Sequence, residues 1–242
     1  MFDKLFHESL AYLPDFQVDA AHLALPSELV ETMCLTDGVV VRLPFHLARM
    51  QAACQVLGWR DISEDLPELW AATSAQMPED CRQGRTMARI VYGAEGIRSI
   101  TFQSYAPRLV RSLRLVLADH VDYALKSTDR KVITECFDQR NGCDDVLIVR
   151  DHLLTDTSIA NIALWHEQHN RWYTPARPLL RGTHRAALLR AGTIHEDTAL
   201  TLDRLSEFSR IRLFNAMLAW GEIELPMVAL FLSQPIKSQF IP

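Results

Sequence analysis

Apolar positions in this chain come in short runs, and their spacing changes from one run to the next. Residues 29–35 read as a strand. Thr36, Asp37 and Gly38 follow as a turn, with Gly38 free to take positive φ, and residues 39–43 return as a second strand. Pro44 then opens a helix over 45–57, closed by Gly58, with Leu47, Met50, Cys54 and Leu57 as its apolar stripe. Residues 61–84 read as helix and loop. Two further strands, 87–92 and 97–102, are separated by Gly93 and Gly96. Residues 1–26 are mixed and broken by Pro14 and Pro26.

The second half is richer in short strands. Across 120–126 the pattern has period two: Val121, Tyr123 and Leu125 share one face, and Asp122, Ala124 and Lys126 the other. A helix-like stretch follows over 127–136, then a turn at Asn141 and Gly142. Residues 145–150 and 153–155 are strands about a turn at Asp151 and His152, and 159–165 and 171–173 extend the meander. A helix over 183–191 stops at Gly192. Another helix lies near 197–206, and 211–218 is apolar and strand-like. Short strands and a few helices in both halves predict an α+β fold, not a doubly wound sheet. The expected organisation is an N-terminal α/β domain over 1–105, a linker and first strand over 106–118, and a C-terminal domain over 119–242.

The chain has 242 residues, 48% of them hydrophobic, and a formal charge of −5. A sizeable core follows, and the lack of a basic tract disfavours nucleic acid as a partner. No apolar run is long enough to span a bilayer and the first residues lack the parts of a signal peptide, so the expectation is a soluble, cytoplasmic protein. Five cysteines at irregular spacing suit buried thiols better than disulfides. His166 and His169 do not have the spacing of a zinc-protease helix and read as exposed. Asp144 and Asp145 read as a turn and strand cap.

Four places could carry chemistry. Lys126, at the end of a half-buried run beside a small residue, can be desolvated toward the neutral amine that attacks carbonyls. Arg49, above Ala52, Ala53 and Val56, can lie in a cleft and offer its planar fork to an anion. Gly182 leads into a helix whose first N–H groups, at Thr183 and His184, make an anion site. Asp156, among Thr and Ser hydroxyls, can hold a protonated ring nitrogen. Taken singly, these residues also read as a solvated lysine, a snorkelling arginine, a plain helix start and an Asx turn.

Together, in this order and at about this spacing, they resemble the class IV (fold type IV) pyridoxal-phosphate enzymes over roughly residues 29–220. Residues 36–38 and 46–58 look like the family's first hairpin and phosphate-binding arginine helix. Residues 125–130 are similar to its Schiff-base lysine segment, 154–161 to the loop whose carboxylate pairs with the pyridine nitrogen, and 179–185 to its phosphate-binding turn. The resemblance implies pyridoxal 5′-phosphate as cofactor, in a cleft between two small domains. Lys126 is the implied catalytic residue, and Arg49, Lys126, Arg130, Asp156, Thr183, His184, Asn215 and Ala216 the implied cofactor contacts. It also implies a small-molecule amine substrate and a homodimer.

Arg130, four residues after Lys126, and the Asn215-Ala216 turn are most similar to aminodeoxychorismate lyases. That points to conversion of 4-amino-4-deoxychorismate into p-aminobenzoate and pyruvate, a step of folate biosynthesis. A class IV aminotransferase for branched-chain or D-amino acids is the alternative, and a degenerate, non-catalytic member a third. The chain departs from the family in four ways. Asp156 stands where Glu is usual, one methylene shorter. Thr157 replaces the usual Gly, the Gly-rich lead before Glu31 is absent, and Tyr92 stands where many members have Arg. Arg89 or Arg98 is then left to meet a substrate carboxylate.

Overall fold

The computed structural model describes Phe16 and residues 25–231. The expectations for residues 1–24, apart from Phe16, and for the last residues of the C-terminal part lie outside these. The chain forms β1 (Leu29–Thr36), β2 (Val39–Val40), α1 (Leu43–Leu57), α2 (Leu66–Ser74), β3 (Arg85–Gly93) and β4 (Gly96–Ser104). Then come β5 (Leu113–Leu117), α3 (Lys131–Asp138), β6 (Asp145–Arg150), β7 (Leu153–Thr157), β8 (Asn161–His166) and β9 (Arg171–Pro175). The last elements are α4 (Thr183–Arg190), β10 (His195–Asp197), β11 (Phe208–Phe214), β12 (Ile223–Pro226) and β13 (Leu230–Phe231). The α+β expectation holds: three mixed or antiparallel sheets carry few helices.

The first sheet, in order β2-β1-β3-β4, lies wholly within residues 29–104. Its hairpin turn needs positive φ at both central residues, Asp37 (49°) and Gly38 (78°), which twists a two-residue loop to match the strands. On β1, Leu29, Glu31, Met33 and Leu35 alternate onto the face that meets α1. Leu47, Met50 and Cys54 of α1 close this core, as their helical spacing predicts. The other two sheets, β10-β9-β8-β11-β12 and β13-β5-β6-β7, make up the second half. They share a core of Leu147, Leu154, Ile162, Leu164 and Ile211.

Several boundaries differ from expectation. Residues 120–126 form no ladder strand. Val121, Tyr123 and Leu125 are buried as the alternation requires, but the segment is stitched to β1 by single contacts. Val30 N–H donates to the Lys126 carbonyl at 2.9 Å, and Leu29 and Ser127 form an isolated bridge. The helix expected from 127 starts only at Lys131, because Ser127 and Asp129 side chains bind backbone N–H groups two residues on and hold the chain in turns. The second strand stops at Val40, and α1 begins two residues early at Leu43. The helix near 197–206 is a short strand followed by a 3-10 turn over Leu202–Glu207. The strand placed at 211–218 runs over Phe208–Phe214, and 215–218 form a turn. His166 is buried, contrary to expectation, and stacks on His169 with ring centroids 3.7 Å apart.

Candidate functional site

One cavity of about 350 Å³ lies where the first sheet meets the second half. Lys126, Arg49, Asp156, Thr183, Asn215 and Ala216 all line it, as does Arg130. Tyr123, Ile133, Ile159, Leu179 and Met217 supply its apolar walls.

Lys126 is half-buried in the wall, its main chain pinned to β1 as described. Burial pushes its amine down to about 7, and the Arg49 charge adds to this. Glu31 opposes the fall, and Arg130 and Arg89 reinforce it. A lysine so placed carries a substantial neutral fraction at neutral pH, which is the nucleophilic form.

Arg49 does not snorkel. It is buried, and its fork grips Glu31 in two parallel bonds of 2.7 Å, Nε to Oε1 and Nη2 to Oε2. Its Nη1 reaches the Arg181 carbonyl at 3.4 Å. Three of its five N–H donors are thereby used, and two remain. Glu31 is fully buried and also accepts a 2.7 Å bond from His46 Nδ1. Burial alone would raise the Glu31 carboxyl. The Arg49 charge and the bonds from His46 and Arg49 overcome this and hold it at about 2. Burial lowers His46, so its ring is neutral at neutral pH. Its Nε2 is then free to accept from the Thr183 hydroxyl at 3.4 Å. A buried relay thus runs from α4 through α1 to β1.

The end of the cavity at α4 is built from backbone. Gly182 caps α4, accepting from Ala186 N–H at 3.0 Å, and leaves the Thr183 and His184 N–H groups at the positive end of the helix. Only glycine fits at this cap: a Cβ on Gly182 would stand 2.0 Å from Asn161 Oδ1. The His184 ring turns away from the cavity and donates Nδ1–H toward the Asn215 and Leu218 carbonyls, at 2.8 and 3.0 Å. Burial, aided by Arg42, lowers that ring to about 4, so it is neutral.

Asp156 faces the cavity from β7 and is 5% exposed. Asn161 Nδ2 donates to its Oδ1 and Leu180 N–H to its Oδ2, each at 2.8 Å. Burial raises its carboxyl to about 6, while these two bonds and Arg185 restrain the rise. Arg130 lies over the Tyr123 ring and donates from Nη2 to the Ser158 carbonyl at 2.6 Å.

Asp144 and Asp145 act as expected of caps. Asp144 accepts from the Arg111 and Ser112 N–H groups, and Asp145 from Val146 N–H. Sequence reasoning missed Glu31, His46 and Asn161. Glu31 carried a readable signal, a lone carboxylate in the apolar alternation Leu29, Met33, Leu35.

The family model for class IV amino-transferases matches residues 28–224. The chain belongs to this family. Its members are pyridoxal-phosphate enzymes. A protein of unassigned function from Haemophilus influenzae is 32% identical over 78% of this chain and 97% of its own length. A Schizosaccharomyces pombe protein, provisionally named an aminodeoxychorismate lyase, is 27% identical over 78% of this chain and 86% of its own. A crystal structure from Haemophilus somnus 129pt, provisionally titled a 4-amino-4-deoxychorismate lyase, superposes with a TM-score of 0.70 at 29% identity. That match covers 81% of this chain and 98% of the other.

Proposed function

We propose that this protein is a lyase acting with pyridoxal 5′-phosphate on 4-amino-4-deoxychorismate, releasing p-aminobenzoate and pyruvate. The observation that carries the reading is the single cavity that gathers Lys126, Asp156 and a set of anion donors. These residues fit the cofactor at both ends. The two remaining N–H groups of Arg49 and the N–H groups of Thr183, His184 and Ala216 suit a phosphate. Asp156, buried at the other end, suits a protonated ring nitrogen. When bound, the cofactor supplies a carbonyl for the amine and an electron-withdrawing ring.

Lys126 would hold the cofactor, and its neutral amine would serve as the base that takes the proton from the substrate's C4. Asp156 would keep the cofactor's ring nitrogen protonated. The C–O bond to the enolpyruvyl group breaks, its electrons leave with enolpyruvate, and the substrate ring becomes aromatic. Ile133, Ile159, Leu179 and Met217 line the cavity and would keep water from the reacting groups. Arg89 takes a substrate carboxylate: it stands across from cavity-lining Thr32 and two residues from cavity-lining Met87. Arg98 is engaged with Glu28 at 3.0 Å. The lyase leaning rests on Arg130 and the Asn215-Ala216 turn, and on the names borne by the fungal and Haemophilus somnus relatives. The division into domains at 1–105, 106–118 and 119–242 belongs to the same proposal.

The test is a panel assay on cofactor-loaded protein, recording pyruvate and the cofactor spectrum together. Pyruvate release from 4-amino-4-deoxychorismate, lost in Lys126→Ala, supports the lyase. Conversion of the cofactor to its aminated form by amino acids, with no pyruvate, replaces the lyase by an aminotransferase. Protein that takes up no cofactor would leave only a binding role.

A further inference from the structure

The turn over residues 215–218 is held from outside by side chains that take its carbonyls one after another. His184 Nδ1–H faces the Asn215 and Leu218 carbonyls. Arg42 Nη2 donates to the Ala216 carbonyl at 2.8 Å, and Arg85 Nη1 to the Met217 carbonyl at 3.2 Å. Within the turn, Asn215 Oδ1 accepts from the Met217 and Leu218 N–H groups at 2.8 Å. The Asn215 and Ala216 N–H groups are left over, with no partner among the described residues, and both residues line the cavity. The peptide joining Asn215 to Ala216 is trans, so its N–H points opposite to the carbonyl that faces His184.

Two of these holding groups come from the other half of the molecule. Arg42 sits just before α1, and Arg85 opens β3 and is anchored by Glu222 at 2.8 Å. Arg42 reaches the turn from an unfavourable place. Its φ is 59°, a left-handed value uncommon for arginine, and its Nε is buried with no partner among the described residues. Backbone strain and an unsatisfied donor at one residue persist where the surroundings require its geometry.

We propose that Arg42 is a positioning residue: by holding the Ala216 carbonyl it fixes the 215–218 turn that presents the Ala216 N–H to the cavity as a phosphate donor. Cofactor affinity is then set in part from the N-terminal sheet. The inference rests on the reading that the cavity holds pyridoxal phosphate.

The experiment compares binding of pyridoxal phosphate and of pyridoxal, which lacks the phosphate, to cofactor-free protein by absorbance titration. Arg42→Asn is the main variant, because asparagine tolerates left-handed backbone and cannot span to Ala216. It should weaken pyridoxal phosphate about tenfold, the scale of one charge-assisted hydrogen bond, and leave pyridoxal unchanged. Arg42→Lys, which keeps one donor of similar reach, should restore most of the phosphate-dependent affinity. Equal weakening of both ligands shows a merely structural residue and overturns the inference, as does unchanged affinity for pyridoxal phosphate. Wild-type protein that binds neither ligand overturns the reading of the cavity and the inference with it.

Discussion

Lys126 should titrate near pH 7 in the cofactor-free protein, and this can be read directly. An ordinary lysine titrates near 10.4, so roughly 0.04% of it is neutral at pH 7, against about half of a lysine at 7. The neutral amine is the reactive form, so Lys126 should be acylated at neutral pH with about a thousandfold advantage in reactive fraction. The chain's lysines are Lys4, Lys126, Lys131 and Lys237, few enough to resolve by peptide mass. Brief acetylation between pH 5 and 11, followed by digestion, yields a rate profile for Lys126, with exposed Lys131 as an internal standard. The Lys126 midpoint should fall near 7. Arg49→Met should raise it, since a positive neighbour is removed while Glu31 stays. A wild-type midpoint above 9 would refute the reasoning, because burial and the Arg49 charge would then not govern the amine. The same shift bears on stability. A folded-state value below the unfolded one contributes stability above about pH 10.5 that is lost as pH falls through 7.

Two further outcomes follow from the buried groups around it. Glu31→Ala leaves Arg49 uncompensated in the core and should cost about 3–5 kcal/mol in denaturant unfolding. Because the Glu31 carboxyl is depressed, its contribution is present above about pH 4.5 and lost as pH falls through about 2, so wild type and variant should converge in acid. A difference that stays constant down to pH 2 would contradict the ion-pair account. Gly182→Ala drives a Cβ into Asn161, 2.0 Å from its oxygen, and should abolish cofactor uptake. Unchanged uptake in Gly182→Ala would show that the cap is not the anion site.

The strands and α1 were legible because their apolar spacing is local, as with Leu47, Met50 and Cys54 facing one core. The segment at 120–126 shows the limit. Its alternation correctly foretold which side chains are buried, but pairing depends on a distant strand, and β1 offers it only single contacts. The helix start at Lys131 was obscured by side chains that compete for backbone N–H groups, a contest that periodicity does not register. The cavity's residues were recognisable by order and type. Their supports were not, since Glu31 meets Arg49 across 18 positions and Arg42 meets Ala216 across 174. A carboxylate in an apolar alternation was the one sign of such a support that the chain displayed locally.

Asp156 illustrates how supports decide what a shortened side chain can do. A glutamate would have one more methylene with which to reach a ring nitrogen. Asp156 instead has both oxygens fixed, one by Asn161 and one by the Leu180 N–H. An ionised carboxyl offers about four acceptor sites, so each oxygen keeps one lone pair for a further donor. The fixed donors restrain a carboxyl that burial raises to about 6, and at pH 7 most of it is therefore charged. The same Asn161 whose amide holds Asp156 also donates to the Leu180 carbonyl, and its oxygen excludes any side chain at Gly182. The Asp156 end and the α4 end of the cavity are thus tied through one residue. A change that lengthens Asp156 to glutamate must displace Asn161 and with it the packing that shapes the α4 cap. In this chain the shorter carboxylate and the tight Gly182 turn belong together, and restoring the family's usual glutamate alone should impair cofactor binding.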